Sequence, residues 1–253
     1  MDHIRYENIF KCKAGQVIAK DVFDERGVFL VAKNVVLNEY LIKRLISLSI
    51  TRIPIIDMVS NDNDSKQVTA QTVSASYNKD LESYKRILRN LAAGKNLNYE
   101  EINALTVSVQ EKIHHNYLLF DCLSQLKGWD EYTYTHSVNV ALYAMLIARW
   151  LRLPEGQVND VIQAGLLHDI GKVRVSDEIL NKPGPLLPEE FEQVKKHSVF
   201  GYQLLSNIPQ INEKIKITVL MHHEREDGGG YPLAISGVKI PLYTKIISVA
   251  DVY

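Results

Sequence analysis

LLHDIGK, residues 166–172, places a histidine and an aspartate side by side at the end of an apolar run. Spacing of three and four residues puts Val161, Gly165, His168 and Lys172 on one helical face, with Ile162 and Asp169 beside it. Consecutive side chains of a helix diverge by about 100°, so His168 and Asp169 are expected to reach one volume from two sides. Lys172 lies one turn beyond, where an ammonium holds a phosphate as a point charge.

The same pattern recurs on either side. Five of the eight histidines fall between 136 and 223, each heading or closing an apolar stripe. His136 leads into Val140, Tyr143, Ile147 and Trp150. Phe191, Val194, His197 and Gly201 share a face, His222 follows Ile211, Ile215 and Val219, and Asp251 follows Ile247 by one turn. A single histidine on an apolar face is more often a hydrogen-bonded core residue than a ligand. Five of them with two aspartates, all pointing inward without a shared partner, would cost about 1–3 kcal/mol for each unsatisfied group. A cation at the centre of a helical bundle gives every one of them a bond. The donors are nitrogen and oxygen with no thiolate, which suits iron, manganese, nickel or zinc and disfavours a closed cysteine site.

Composition frames this centre. Hydrophobic content of 46% in 253 residues supports one large domain plus a smaller one, and the net charge of −1 argues against nucleic acid polymers or anionic membranes as partners. Cys12 and Cys122 give no CxxC pair, which fits a reducing cytoplasm. The longest apolar run, VALYAMLIA (140–148), falls short of the roughly 20 residues that span a bilayer. Residues 1–58 read as a small α+β domain, in which DERG turns between two β runs, Asn38 caps a helix striped by Leu41, Ile42, Leu45 and Ile46, and TRIPIID returns as a strand. Residues 59–78 read as a polar linker and 79–253 as a helical domain. Helices are expected to begin near His136, after Pro154-Glu155 and after Pro188-Glu189-Glu190, and to span about 211–224 and 242–253. A helix over about 99–127 carries His114 and His115, read as surface or boundary residues. Its stripe of Ile102, Leu105, Val109 and Ile113 is either a seam with a second copy, making a homodimer, or a face packed on the bundle.

His136, HDIGK (168–172), His197, HHE (222–224), DGGGYP (227–232) and Asp251 together resemble the HD-GYP family, cyclic di-GMP phosphodiesterases within the HD superfamily of metal-dependent phosphohydrolases. The likeness covers roughly residues 100–253, with five separated motifs in order. It implies a mainly α fold, an HD-type helical bundle behind a small amino-terminal α+β domain that regulates or dimerises. It also implies two metals, one held by His136, His168, Asp169 and Asp251, the other by Asp169 as a bridge, His197, and His222, His223 or both. A hydroxide between the metals would attack a phosphorus of cyclic di-GMP, giving pGpG and further GMP, with Lys172 on a non-bridging oxygen and Asp169 and Lys172 as the catalytic pair. Gly228, Gly230, Tyr231 and Pro232 would contact substrate, the glycines letting the backbone turn and approach a ligand. Where some members place a third-metal glutamate, this chain has Tyr132, with Glu131 out of register, so two metals are expected. The family domain continues past Asp251, so the chain reads as truncated at its carboxyl end. The alternatives are another HD-type nucleotide phosphohydrolase, including one for a different cyclic dinucleotide, and a non-catalytic cyclic-dinucleotide sensor.

Overall fold

In the computed structural model, the described residues are 4–56 without 32, 34 and 38, then 70–111 and 132–252. They divide into two compact units, one comprising the residues up to Ser76 together with Glu111, the other Tyr77–Gln110 and the residues from 132 onward. The helices Ala70–Ala92 and Tyr99–Glu111 thus each cross from one unit to the other at an end. The fold is mainly α, with the strands confined to the first unit.

The first unit is built on a three-stranded antiparallel sheet in the order β1 (Ile4–Asn8), β5 (Arg52–Ile56), β2 (Val17–Ile18). Ile4 pairs with Ile56 and Asn8 with Arg52, while Val17 and Ile18 pair with Ile56 and Ile55. Ile53 and Ile55 on β5 are buried, as are Ile18, Leu37 and, on α1 (Glu39–Ser47), Leu41 and Leu45. DERG makes the expected turn between β3 (Val22–Phe23) and β4 (Phe29–Val31): Gly27 takes φ 81°, and Asp24 Oδ1 accepts from the backbone of Arg26 at 2.9 Å and Val28 at 2.7 Å. Cys12 is free and buried. Asn38, His114, His115, Ile113, Glu131 and Cys122 lie outside the described residues.

The second unit is helical. Residues 70–78, read from sequence as linker, instead form the first turns of α2 (Ala70–Ala92). Tyr77, Leu81, Tyr84 and Leu88 of that helix are buried at helical spacing, and this packing, rather than propensity in its polar first turns, defines the helix. Ile102, Leu105 and Val109 of α3 (Tyr99–Glu111) are buried within the single chain.

The helix that begins near His136 starts earlier, as α4 (Tyr132–Trp150), and packs along α5 (Glu155–Leu167). Their approach is close because Gly165 faces Ala141: a Cβ on Gly165 would stand 2.6 Å from Ala141 Cα. A 3₁₀ turn (Ile170–Arg174) follows, then α6 (Asp177–Leu180), α7 (Pro188–Lys195), α8 (His197–Ser206), α9 (Glu213–Met221) and α10 (Leu242–Val252). The 3₁₀ turn lies on α8, α9 packs on α8 and α5, and α10 packs on α4, α5 and α9. Trp150 and Phe191, read as members of inward stripes, are 44% and 47% exposed, since each lies at the margin of its helix packing. Among the described residues no helix is long and apolar enough to cross a membrane.

Candidate metal centre

Most of the site residues stand where helices stop. α5 ends at Leu167. His168 keeps helical torsions, but Asp169 sits at φ −97°, ψ 4° and opens the 3₁₀ turn. The HD dipeptide therefore does not diverge as two neighbours on a continuous helix; a break between helix types aims the two side chains. The second stripe is broken in the same way, with Lys196 between α7 and α8 and His197 opening the latter. His222 caps the carboxyl end of α9. Asp251 lies in the last turn of α10 and His136 in the second turn of α4.

These positions let three imidazoles be oriented alike. His168 Nδ1 pairs with the carbonyl of Gly165 at 2.8 Å, His197 Nδ1 with Val194 at 2.7 Å and His222 Nδ1 with Val219 at 2.8 Å. Each carbonyl is three residues upstream, in the last turn of its helix. A carbonyl accepts only, so each Nδ1 carries the proton, and each Nε2 of a neutral ring presents a lone pair inward. Backbone carbonyls fix metal-binding histidines in this way.

The inward atoms gather in two adjoining groups, His136, His168 and Asp251, and Asp169, His197, His222 and His223, each with ligand atoms within 4.8 Å of one another. In the first, His136 Nε2 is 2.8 Å from Asp251 Oδ1, and His168 Nε2 is 3.4 Å from the same oxygen. In the second, His197 and His222 bring their Nε2 atoms to 3.2 Å. Asp169 faces both: Oδ2 lies 3.3 Å from His168 Nε2 and 4.0 Å from His136 Nε2, and Oδ1 lies 3.4 Å from His197 Nε2. Lys172 Nζ donates to Asp169 Oδ2 at 2.6 Å.

His168 Nε2 is buried without a hydrogen-bond partner. His168, His197 and His222 are at most 1% exposed and Asp169 is 5% exposed. Two buried imidazole nitrogens facing each other, beside a third with carboxylate oxygens 3.3 and 3.4 Å away, form a convergent set of nitrogen and oxygen donors. A nitrogen-and-oxygen-seeking dication fits it, and no cysteine lies among these ligands.

Charge is divided unevenly. Burial lowers the pKa of His197 and pushes that of His222 well below the ordinary histidine value; burial with His197 nearby takes His223 down to about 4. Burial would also lower His168, but Asp169 and Asp251 beside it push it up to about 10. Burial would raise Asp169, yet His168, Lys172 and His197 hold its carboxyl well below the usual carboxylate range. Asp251 is likewise held low against burial by His136 and His168.

The glycine loop closes one side. Gly228 takes φ 77°, in the left-handed region that favours glycine. Gly230 instead allows close packing against the chain itself: a Cβ there would stand 2.5 Å from Glu224 Cα and from the His223 carbonyl. Tyr231 stacks obliquely on His223, with ring centroids 4.6 Å apart and planes at 31°. Pro232 is half-buried. Every expected ligand is thus brought to one centre, with Tyr231 at its edge. Sequence reasoning missed two supports. Tyr84, fully buried on α2, donates to the Leu166 carbonyl at 2.6 Å, and Ser248 donates to the His222 carbonyl at 2.6 Å. The only signal for Ser248 was its place one turn before Asp251; Tyr84 gave none.

A family model described as HD domain matches residues 116–253, more than half of the chain. The chain belongs to the HD domain family. It is 45% identical over 140 residues to a cyclic di-GMP phosphodiesterase of Pseudomonas aeruginosa, covering 55% of this chain and 33% of that protein. It is 40% identical over 141 residues to a cyclic di-GMP phosphodiesterase of Thermotoga maritima, covering 53% and 38%. A 3′3′-cGAMP-specific phosphodiesterase of Vibrio cholerae is 40% identical over 122 residues, covering 48% and 26%. The matched region thus spans about a third of the length of these curated relatives. Among solved structures, an HDG"Y"P protein from Bdellovibrio bacteriovorus shares the fold at a TM-score of 0.60 and 17% identity, covering 98% of this chain and 86% of that one.

Proposed function

We propose that the chain is a metal-dependent phosphodiesterase that hydrolyses cyclic di-GMP to pGpG and on to GMP. The observation that carries this reading is Asp169, one buried carboxylate facing two histidine groups with a lysine on its outer oxygen. His136, His168, Asp169 and Asp251 would hold one cation, and Asp169, His197, His222 and His223 the other. Two such ions, iron or manganese, supply an activated water and neutralise the charge of an attacked phosphate.

The chain's own residues do the rest. The carbonyls of Gly165, Val194 and Val219 hold three rings so that their lone pairs point at the ions rather than outward. Lys172 is 29% exposed in its side chain, so its ammonium reaches from Asp169 to the open side, where it meets a non-bridging phosphate oxygen. Tyr231 forms an aromatic edge beside His223 against which a nucleobase or ribose rests. The names of the Pseudomonas and Thermotoga relatives support cyclic di-GMP as the substrate. The name of the Vibrio relative favours a second reading, in which a different cyclic dinucleotide is preferred.

Turnover is the test. Anaerobically purified protein loaded with Fe(II) or Mn(II) is expected to convert cyclic di-GMP to pGpG, with all product abolished by chelator. Side-by-side rates on 3′3′-cGAMP decide between the two readings, and two bound metals without product from either dinucleotide would overturn both.

A further inference from the structure

Glu224 ends the HHE motif and has none of the partners expected of a buried acid. It is 4% exposed, and among the described residues no lysine, arginine or histidine pairs with it. Its two oxygens go instead to backbone beyond the glycines: Oε1 accepts from the Leu233 N–H at 2.6 Å and Oε2 from the Ile235 N–H at 3.0 Å. Between these anchors and the helix end the chain makes one compact excursion. Gly230 lies so close to the Glu224 backbone that a side chain has no room, and the Tyr231 N–H meets the His223 carbonyl at 3.3 Å. The outcome is a fixed Tyr231 ring, 4.6 Å from His223 and 6.5 Å from His197 by centroids.

We infer that Glu224 is a positioning residue: its carboxylate clamps residues 231–235 so that Tyr231 is held against His223 and presents one fixed face to the substrate. A carboxylate suits the task, since it accepts twice and donates nothing, and bonds from backbone N–H groups to a charged oxygen are about twice as strong as neutral ones. A glutamine there would accept one N–H and turn its own donors on the other. Because Glu224 belongs to the same turn as the two histidines, the ligands and the aromatic edge are fixed by one helix end. The inference deepens the proposed phosphodiesterase reading and rests on it for the identity of the substrate.

The test compares Glu224→Gln and Glu224→Asp with the parent, all metal-loaded, by amide hydrogen exchange and by turnover. For Glu224→Gln, exchange over 231–236 is expected to speed up by at least about tenfold, the factor carried by one charge-assisted bond, while α9 and α10 keep their protection. Metal stoichiometry stays unchanged, and KM for cyclic di-GMP rises more than kcat falls. Glu224→Asp, which keeps the charge on a shorter stem, recovers part of both. Unchanged exchange over 231–236 would overturn the clamp, as would loosening that spreads through α9 and α10, which marks a core residue only. A parent without turnover counts against the proposed function alone, and the exchange comparison still decides the clamp.

Discussion

The two ligand groups are built from the same residue types and touch one another, yet they hold charge in opposite ways. His168 in the first and His222 in the second are almost equally buried, at 0% and 1% exposure. Burial therefore does not separate them. His168 has a carboxylate oxygen on either side, 3.3 and 3.4 Å away, and its pKa is pushed up to about 10. His222 faces other imidazoles, and its pKa falls well below the ordinary value. The ratio of carboxylate to imidazole, rather than depth, decides whether a buried histidine is a cation or a lone-pair donor. In the metal-free protein the first group balances its own charge with a proton, whereas the second is an open donor set.

The largest effect breaks the comparison altogether. Asp169→Ala removes the carboxylate that faces both groups, so both ions are expected to leave together. Turnover should fall by more than about a hundredfold, since losses even of outer-shell partners cost 10–100-fold. Elemental analysis of the purified variant beside the parent checks this, and a full complement of metal in Asp169→Ala would remove the bridging assignment.

The second effect is in pH. A cation entering the first group must displace the proton from His168, so its apparent affinity should rise about tenfold per pH unit from neutrality toward pH 10. The second group has little to release once its histidines are neutral, and its uptake should be flat above about pH 6.5. Titrating metal into the apo protein at pH 7, 8 and 9 separates the two, and two equal slopes would contradict the division. The apo stability follows with its own signs. His168 has a folded pKa above its ordinary 6.5, so its contribution is complete below that value and is lost as pH rises through about 10. His223 has a folded pKa near 4, so its neutral form costs stability as pH falls from 6.5 toward 4. Thermal midpoints in chelator should therefore fall on both sides of neutrality.

Much of this centre was legible in the sequence, since inward spacing at three and four residues picked out His136, His168, Asp169, His197, His222 and Asp251 before any packing was known, while His223 entered only through the HD-GYP resemblance. What periodicity could not show is where the helices stop. The stripe through Val161, Gly165 and His168 continues smoothly into Lys172 on paper, but the chain changes to a 3₁₀ turn at Asp169. The cause is a tertiary contact: Gly171 lies against the His197 carbonyl and Gly201, an approach that exists only once α8 is in place. The start of α2 was hidden likewise, because Ala70 to Ser76 carry no apolar repeat and the helix is fixed by Tyr77, Leu81 and Tyr84 further on. The role of Glu224 escaped because the HHE motif gives no partner for its acid until its two backbone donors, nine and eleven residues away, are known.

A smaller effect is expected at Lys172. Its ammonium is on Asp169 Oδ2, an oxygen that also faces the first group. Lys172→Ala should leave both ions bound and lower turnover by about 10–100-fold, the range for one charge-assisted contact to a phosphate in the transition state. A loss of metal equal to that in Asp169→Ala would make the lysine a support of the carboxylate alone.

The smallest expected effect sharpens the comparison most. Gly165 touches only the first group: it sets the approach of α4, which carries His136, to α5, and its carbonyl holds the His168 ring. In Gly165→Ala the new methyl would stand 2.6 Å from Ala141 Cα, within a contact between two backbones that cannot yield by rotating a side chain. The helices must separate by a few tenths of an ångström or more, at a cost of about 1–3 kcal/mol in stability. That displacement moves His136 relative to His168 and Asp251 but leaves the helix ends that carry His197, His222 and His223 in place. The variant should therefore bind metal in the first group about tenfold more weakly, and in the second as the parent does. Equal weakening of the two would mean that the groups act as one rigid unit, with their opposite charges set by Asp169 alone.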